Sequence, residues 1–202
     1  MRIERVEPVG KTKVRICMED DSVLVLQRRD AVLRGLKEEA EISGDVLAEL
    51  MEQQRKECLR RSGTLLKDRD YSVTRLRGKL LEAGFDPRIV EDTVGSLMEA
   101  GYLDDDRFAS GYVQYHLRDR SEKRIRHDLM QQGLSRECID RAFSVLDRED
   151  TSRAQEEQVR ALLKKKGYDP VLAGWEKKQK MMAFLSRKGY ENGLIRRIMD
   201  EV

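Results

Sequence analysis

The spacing of apolar and polar positions changes once along the chain, near residue 45. Before that point the period is two. In KVRICM, Val14, Ile16 and Met18 alternate with Lys13, Arg15 and Cys17; EDDS interrupts the pattern and VLVL follows. Alternate side chains line one face of a strand, so this predicts a hairpin with a four-residue connection. RIERVEPVG adds an edge strand, where Pro8 is tolerated because its missing N–H costs no ladder bond. AVLRGLKEEAEI fits either a strand or a short helix. Residues 1–42 therefore read as a small β-hairpin element, which must pack on something to be stable.

From Asp45 the period is helical. Val46, Leu47, Leu50 and Met51 recur on one face, and the pattern continues past Cys58, Leu59, Leu65 and Leu66. This predicts a long connecting helix in the segment 43–70, from about Asp45 to about Lys67, with Gly63 breaking it near its end.

Beyond it lies an internal repeat. YSVTRLRGKLLEAGF from Tyr71, RSEKRIRHDLMQQGL from Arg120 and EKKQKMMAFLSRKGY from Glu176 share one register, at offsets of 49 and 56 residues. Each has an apolar residue (Leu76, Ile125, Met181), Leu four residues on (Leu80, Leu129, Leu185), Gly after four more (Gly84, Gly133, Gly189) and then another apolar residue (Phe85, Leu134, Tyr190). Residues four apart share a helix face, and Gly ends a helix in the left-handed conformation that a Cβ disfavours. A second helix follows each Gly. The first is capped by Asp86 with Pro87 in its first turn and striped by Val90, Val94 and Leu97. The second starts at Ser135 and uses Ile139, Phe143 and Leu146; the last uses Ile195 and Met199.

A third helix follows in the first two copies, from Asp104 to about Arg118 and from about Ser152 to Lys166. The frame is thus a three-helix repeat over 71–119, another over 120–168 and a partial repeat over 169–202. The fold class is mainly α: tandem three-helix repeats forming an elongated curved solenoid, behind a small N-terminal β element.

Composition agrees. Charged residues make up 39% and aromatics 5%, and there are only three prolines. The net charge of +2 is unevenly placed: residues 1–70 sum to 0, 71–150 to −3 and 151–202 to +5. The last quarter is the best electrostatic match for an anionic partner. Cys17, Cys58 and Cys138 lie too far apart for a zinc site and read as reduced thiols. With no long apolar run and no secretion signal in MRIERVEPVGKTKV, the chain reads as soluble and cytoplasmic, with no membrane association.

GYLDDDRFASGYV holds three consecutive aspartates. A metal needs carboxylates that converge, at positions three or four apart on a helix, and residues 107–110 are Arg, Phe, Ala and Ser. The stretch reads instead as a hinge: Gly101 ends one helix, Asp104 caps the next, Asp105 and Asp106 face the positive end of its dipole, and Phe108 heads inward. His116 and His127 have no acid or nucleophile placed with them, and no glycine-rich phosphate loop occurs. The reading is a non-enzyme with no metal and no cofactor.

Basic clusters remain: Arg75, Arg77 and Lys79 in the first copy; Lys123, Arg124 and Arg126 in the second; Lys164, Lys165, Lys166, Lys177, Lys178, Lys180, Arg196 and Arg197 at the end. Arg75, Arg124 and Lys180 occupy one repeat position. Two readings stand level. The cations either solvate the outside or track a regular polyanion or filament. Tyr168, Trp175 and Tyr190 are either stacking platforms or core residues.

GYLDDDRFASGYVQYHL, RIRHDLMQQGLSRECIDRAF and FLSRKGYENGLIRRIMDE, in that order, resemble the RecX family of regulatory proteins, and VRICMEDDSVLVL with GLKEEAEI fits its N-terminal β element. The resemblance spans about residues 10–202. It implies curved tandem three-helix repeats and a partner: the RecA recombinase filament on single-stranded DNA; the chain itself reads as a monomer, with duplex DNA a weaker ligand. It further implies restraint of recombination, ATP hydrolysis and filament growth. Two alternatives from the residues alone are a helix-turn-helix-like nucleic-acid-binding module acting without RecA and a scaffold with no affinity for DNA.

Overall fold

The computed structural model describes residues 1–146 and 148–201, the side chains of Arg148 and Asp150 excepted. The chain divides into two compact units, Met1–Asp104 and Asp105–Val202.

The first unit opens with an antiparallel sheet of order β1-β2-β3, formed by β1 (Ile3–Val9), β2 (Lys13–Met18) and β3 (Val23–Gln27). β1 is an edge strand, which accommodates Pro8. Register runs from Val9↔Lys13 to Ile3↔Met18 on one side and from Lys13↔Gln27 to Cys17↔Val23 on the other. As the period of two requires, Val14, Ile16, Met18 and Leu24 are buried together, with Ile3, Ala31, Leu36, Ile42 and Leu50. The ambiguous stretch becomes a short helix, α1 (Arg28–Leu33), followed by a turn and a single bridge from Glu41 to Arg2.

α2 (Gly44–Asp68) is capped by the Ser43 hydroxyl, which accepts from the Val46 N–H. At 1.5 Å per residue it is about 37 Å long, enough to serve two cores. Leu50 closes the sheet core and Cys58 the next one, with Met51 packed against both. Two expectations are corrected here. Gly63 does not break the helix, which runs on to Asp68. Leu59 is exposed, and the buried seam is instead Leu50, Gln54, Cys58 and Ser62, at i, i+4 spacing. Two of these are polar, and the expected Val46, Leu47, Met51, Leu65 and Leu66 pack beside them, so only Leu59 departs from the expected stripe.

α3 (Val73–Glu82) and α4 (Pro87–Glu99) complete the first helical core, in which Leu76, Leu80, Phe85, Val90, Val94 and Leu97 pack with Cys58 of α2. The sheet docks on the turn between them. The buried Asp86 carboxylate accepts from Arg88 N at 2.8 Å, capping α4, and from Val23 N of β3 at 2.8 Å.

In the second unit, α5 (Asp105–His116), α6 (Glu122–Gln131) and α7 (Arg136–Ser144) enclose Ala109, Val113, Ile125, Leu129, Leu134 and Ile139. α8 (Arg148–Lys165), α9 (Trp175–Arg187) and α10 (Asn192–Glu201) enclose Val159, Leu163, Met181, Leu185, Tyr190, Ile195 and Met199. The cores therefore group the helices as α2–α4, α5–α7 and α8–α10. This frame lies one helix upstream of the one read from 71–119, 120–168 and 169–202. The repeated pair is the same, but its third helix precedes it, because that helix supplies the apolar face that covers the pair. The partial third repeat is thereby completed by α8.

The repeat glycines do what their spacing implied. Gly84, Gly133 and Gly189 all have positive φ, and the residue after each donates its N–H back five residues, as from Tyr190 to Leu185 O at 3.3 Å. Gly189 has a second reason to lack a side chain. A Cβ there would lie 2.5 Å from Ser121 Oγ and 3.2 Å from Lys123 Cβ, so α9 ends directly on the start of α6. Gly167, also at positive φ, has nothing within 4 Å of such an atom. Gly167→Ala should cost about 1 kcal/mol from backbone strain alone. Gly189→Ala should cost about 2 kcal/mol or more, measured as the difference in unfolding free energy by denaturant titration.

Candidate functional site

The paired helices carry the basic residues, and the structure sorts these into two kinds. Arg77 on α3 reaches across to Glu91 on α4 at 2.6 and 3.0 Å. Its repeat equivalent, Arg126 on α6, reaches Asp140 on α7 at 2.5 Å and Glu122 at 2.7 Å, with its guanidinium 4.3 Å from the Phe143 ring centroid. Both pairs span 14 residues, so they are one device used twice, a clamp between the helices of a pair. Arg197 is engaged in the same way, with Glu156 of α8 at 2.5 Å. The Glu156 carboxyl is held below its usual range, first by the hydrogen bond from Arg197. Lys79 pairs with Glu82 at 2.8 Å. These four cations lean on carboxylates of the protein itself.

The second kind faces outward. Arg75, Lys123, Arg124, Lys164, Lys165, Lys180 and Arg196 are exposed, and Lys178 is half-buried. At the shared repeat position, the Arg124 side chain is 59% exposed beside Asp128 at 3.0 Å, and that of Lys180 is 82% exposed with Glu176 at 3.8 Å. Lys177 donates to Gly167 O at 3.2 Å, and Lys166 lies 5.3 Å from the Phe184 ring centroid. Of the three candidate stacking residues, Tyr168 and Tyr190 are buried, as core residues, and Trp175 is exposed.

The aspartate stretch opens a helix. α5 starts at Asp105, directly after Asp104, and Asp105 and Asp106 lie in its first turn. Phe108 is half-buried against the core, with Ala109 and Val113 fully inside. Asp106 takes the Arg141 guanidinium of α7 at 2.7 Å. No group of three His, Cys, Asp or Glu that could hold a metal ion occurs among the described residues. His116 packs against Tyr112 with the rings tilted, centroids 4.4 Å apart, and approaches Asp119 at 3.3 Å.

Sequence reasoning missed the polar groups that join α5–α7 to α8–α10. The Gln158 amide donates to Leu117 O at 2.5 Å and accepts from the Tyr190 hydroxyl at 2.8 Å. The Ser121 hydroxyl donates to Lys188 O at 2.6 Å while accepting from Arg124 N at 3.3 Å. Nearby, Arg120 bonds both Tyr112 OH and Asp128 at 2.8 Å. Gln158 carries no charge and sits outside any motif, so only its burial singles it out, whereas Ser121 stands at the helix-cap position of the repeat that Ser72 also fills. An open groove of about 1140 Å³ runs beside this joint, lined by Glu122, Arg126, Phe143, Gln155, Asn192 and Arg197. Its arginines are already ion-paired.

Taken together, these features define a modular helical protein: a small sheet followed by three-helix cores that are joined by buried hydrogen bonds within the second unit. Comparison with known proteins gives the family. Residues 104–142 match the second three-helix domain of RecX and residues 154–199 the third. A regulatory protein RecX from Trichlorobacter lovleyi is 30% identical over 150 residues, 72% of this chain and 95% of that protein. One from Clostridium tetani is 27% identical over 192 residues, 92% of this chain and 86% of that protein. Two solved structures share the fold: a regulatory protein RecX at TM-score 0.65 and 18% identity, covering 98% of both chains, and RecX from Lactobacillus salivarius at 0.63 and 16%, covering 74% of this chain and 97% of that one. The chain belongs to the RecX family. The matched domains follow the grouping α5–α7 and α8–α10 set by the cores.

Two outcomes follow for the side chains. Burial pushes the Cys138 thiol up to about 12, aided by the nearby Asp106, and Cys58 is also raised by burial. Both thiols stay protonated at neutral pH. Iodoacetamide at pH 8 should therefore label only the half-buried Cys17 in the folded protein, and all three cysteines after denaturation, as read by mass spectrometry. The bond from Arg141 lowers Asp106 below the usual carboxylate range. Its stabilising effect is thus present at neutral pH and lost as pH falls through that lowered value. The pair is exposed, so a double-mutant cycle of Asp106→Asn with Arg141→Gln should give a small coupling at pH 7 that shrinks as the pH is lowered.

Proposed function

We propose that this protein binds the RecA recombinase filament on single-stranded DNA in the cytoplasm and restrains its strand exchange, ATP hydrolysis and growth. Membership of the RecX family supports the reading most directly. The outward cations add to it, because Arg75, Arg124 and Lys180 occupy the same position in each helix pair. A helical filament presents the same groove at regular intervals, and a chain of similar modules can engage several protomers at once. Weak linked contacts then add up to avidity without any one tight site. A ligand that bridges protomers binds one filament state better than another and shifts the population toward it.

The test is RecA-dependent ATP hydrolysis on single-stranded DNA, together with co-sedimentation of this protein with the filament. Stoichiometric protein should slow hydrolysis and pellet with the filament. An unchanged rate would sink the proposal. Arg124→Ala combined with Lys180→Ala should lower filament affinity on the order of tenfold, with helicity by circular dichroism unchanged. Alanine is the better probe, since Glu would set like charges beside Asp128 and Glu176.

A further inference from the structure

The third helix pair departs from the repeat at one place. α3 and α6 each start three residues before their first buried repeat position, Leu76 and Ile125, whereas α9 starts six before Met181. The extra turn is Trp175, Glu176 and Lys177. The connection ahead of it is also longer, residues 166–174 against 69–72 and 117–121.

This added segment is well held. Tyr168 and Ala173 are buried in the α8–α10 core. The Asp169 carboxylate accepts from Val171 N at 2.9 Å and Leu172 N at 3.1 Å, and Lys177 closes the base through Gly167 O. The loop thus turns three large apolar side chains to solvent: Val171 is 90% exposed, Leu172 80% and Trp175 73%. A cluster of this kind on an ordered loop contributes nothing to the core and marks a contact surface.

Its surroundings specify the partner. Six lysines flank it, Lys164 and Lys165 ending α8, Lys166 just beyond and three opening α9, while Asp169 and Glu176 are the only carboxylates between residues 164 and 180. Asp169 is occupied in the loop. Trp175, Lys177 and Lys180 line a shallow pocket of about 490 Å³ with Gly174 and Glu176, and the space beside Gly174 is open. An indole next to ammonium groups in a concavity suits a flat ring carried on an anionic chain. A lipid surface would instead ask for a convex apolar wedge.

We propose that this tip binds single-stranded nucleic acid, with a base stacked on Trp175 and the lysines holding the flanking phosphates. The proposal deepens the reading of a protein that works on DNA-bearing filaments and rests on it for the presence of a free strand. It locates the contact on a feature that only the third helix pair carries.

Trp175 is the only tryptophan in the chain, so fluorescence excited selectively at tryptophan reports on this tip alone. Titration with a thymidine oligonucleotide should quench it along the same curve as the anisotropy of a labelled strand. Trp175→Ala should weaken strand binding about tenfold, and Trp175→Phe should recover most of it. Lys164→Gln with Lys165→Gln should lower the salt slope of log affinity by about 0.7 per lysine. Unchanged fluorescence at strand saturation, or wild-type affinity in Trp175→Ala, overturns the proposal. So does a blue shift with phosphatidylserine vesicles in the absence of any response to the strand. Absent quenching with RecA filament binding intact removes the tip alone. Quenching with no effect on RecA removes the filament reading alone.

Discussion

The structure depends on one constraint: helices of about ten residues cannot hold themselves together in water. α3, α6 and α10 have ten residues each and α7 nine. Helices this short are marginal by propensity, so they persist only by burying an apolar stripe. A pair of them still leaves that stripe half open, and a third helix must cover it. That need groups α2 with α3 and α4, α5 with α6 and α7, and α8 with α9 and α10. The modular character of the chain, with several small cores in place of one large one, follows from it.

The residues that end and start the short helices are reused to join one element to the next. Gly189 stops α9 and, by having no side chain, lets that end meet Ser121. Ser121 caps α6 and binds Lys188 O; Asp86 caps α4 and binds the sheet through Val23 N. A terminus has unpaired backbone groups to satisfy, and a capping side chain has an oxygen lone pair or a proton to spare. Joining modules at their caps therefore leaves the outward helix faces free for partners. In the third pair the pattern is altered. Gly174 precedes α9 with no side-chain cap, and the longer loop carries Trp175 outward.

Much of this was legible in the residues. The switch of period near residue 45, the Leu–Gly–apolar register and the polar caps marked the elements, since each is a local rule acting within four or five positions. The partition of the cations was less so. Arg77 and Arg126 looked like members of a basic surface, yet each serves a carboxylate 14 residues away on the next helix. The recurrence of that spacing in two copies was the available signal, and it shows only once the helices are known to lie side by side. Tyr168 and Tyr190 could be stacking platforms or core until burial decided between them.

The sequence by itself determined most helix and strand limits, most apolar faces and that one unit is repeated, because caps, glycine stops and periodicity act along a few residues of chain; it left the α1 stretch open and set a break at Gly63 that packing overrides. Only the tertiary structure decided the frame of the repeat, since three helices in succession can be grouped in more than one way until the faces that touch are known. It also decided which cations are spent on the protein itself. An ion pair depends on where two side chains meet in space, and charge order along the chain does not record that. Buried neutral joints such as Gln158 fall in the same class, for their role comes from the two modules that surround them.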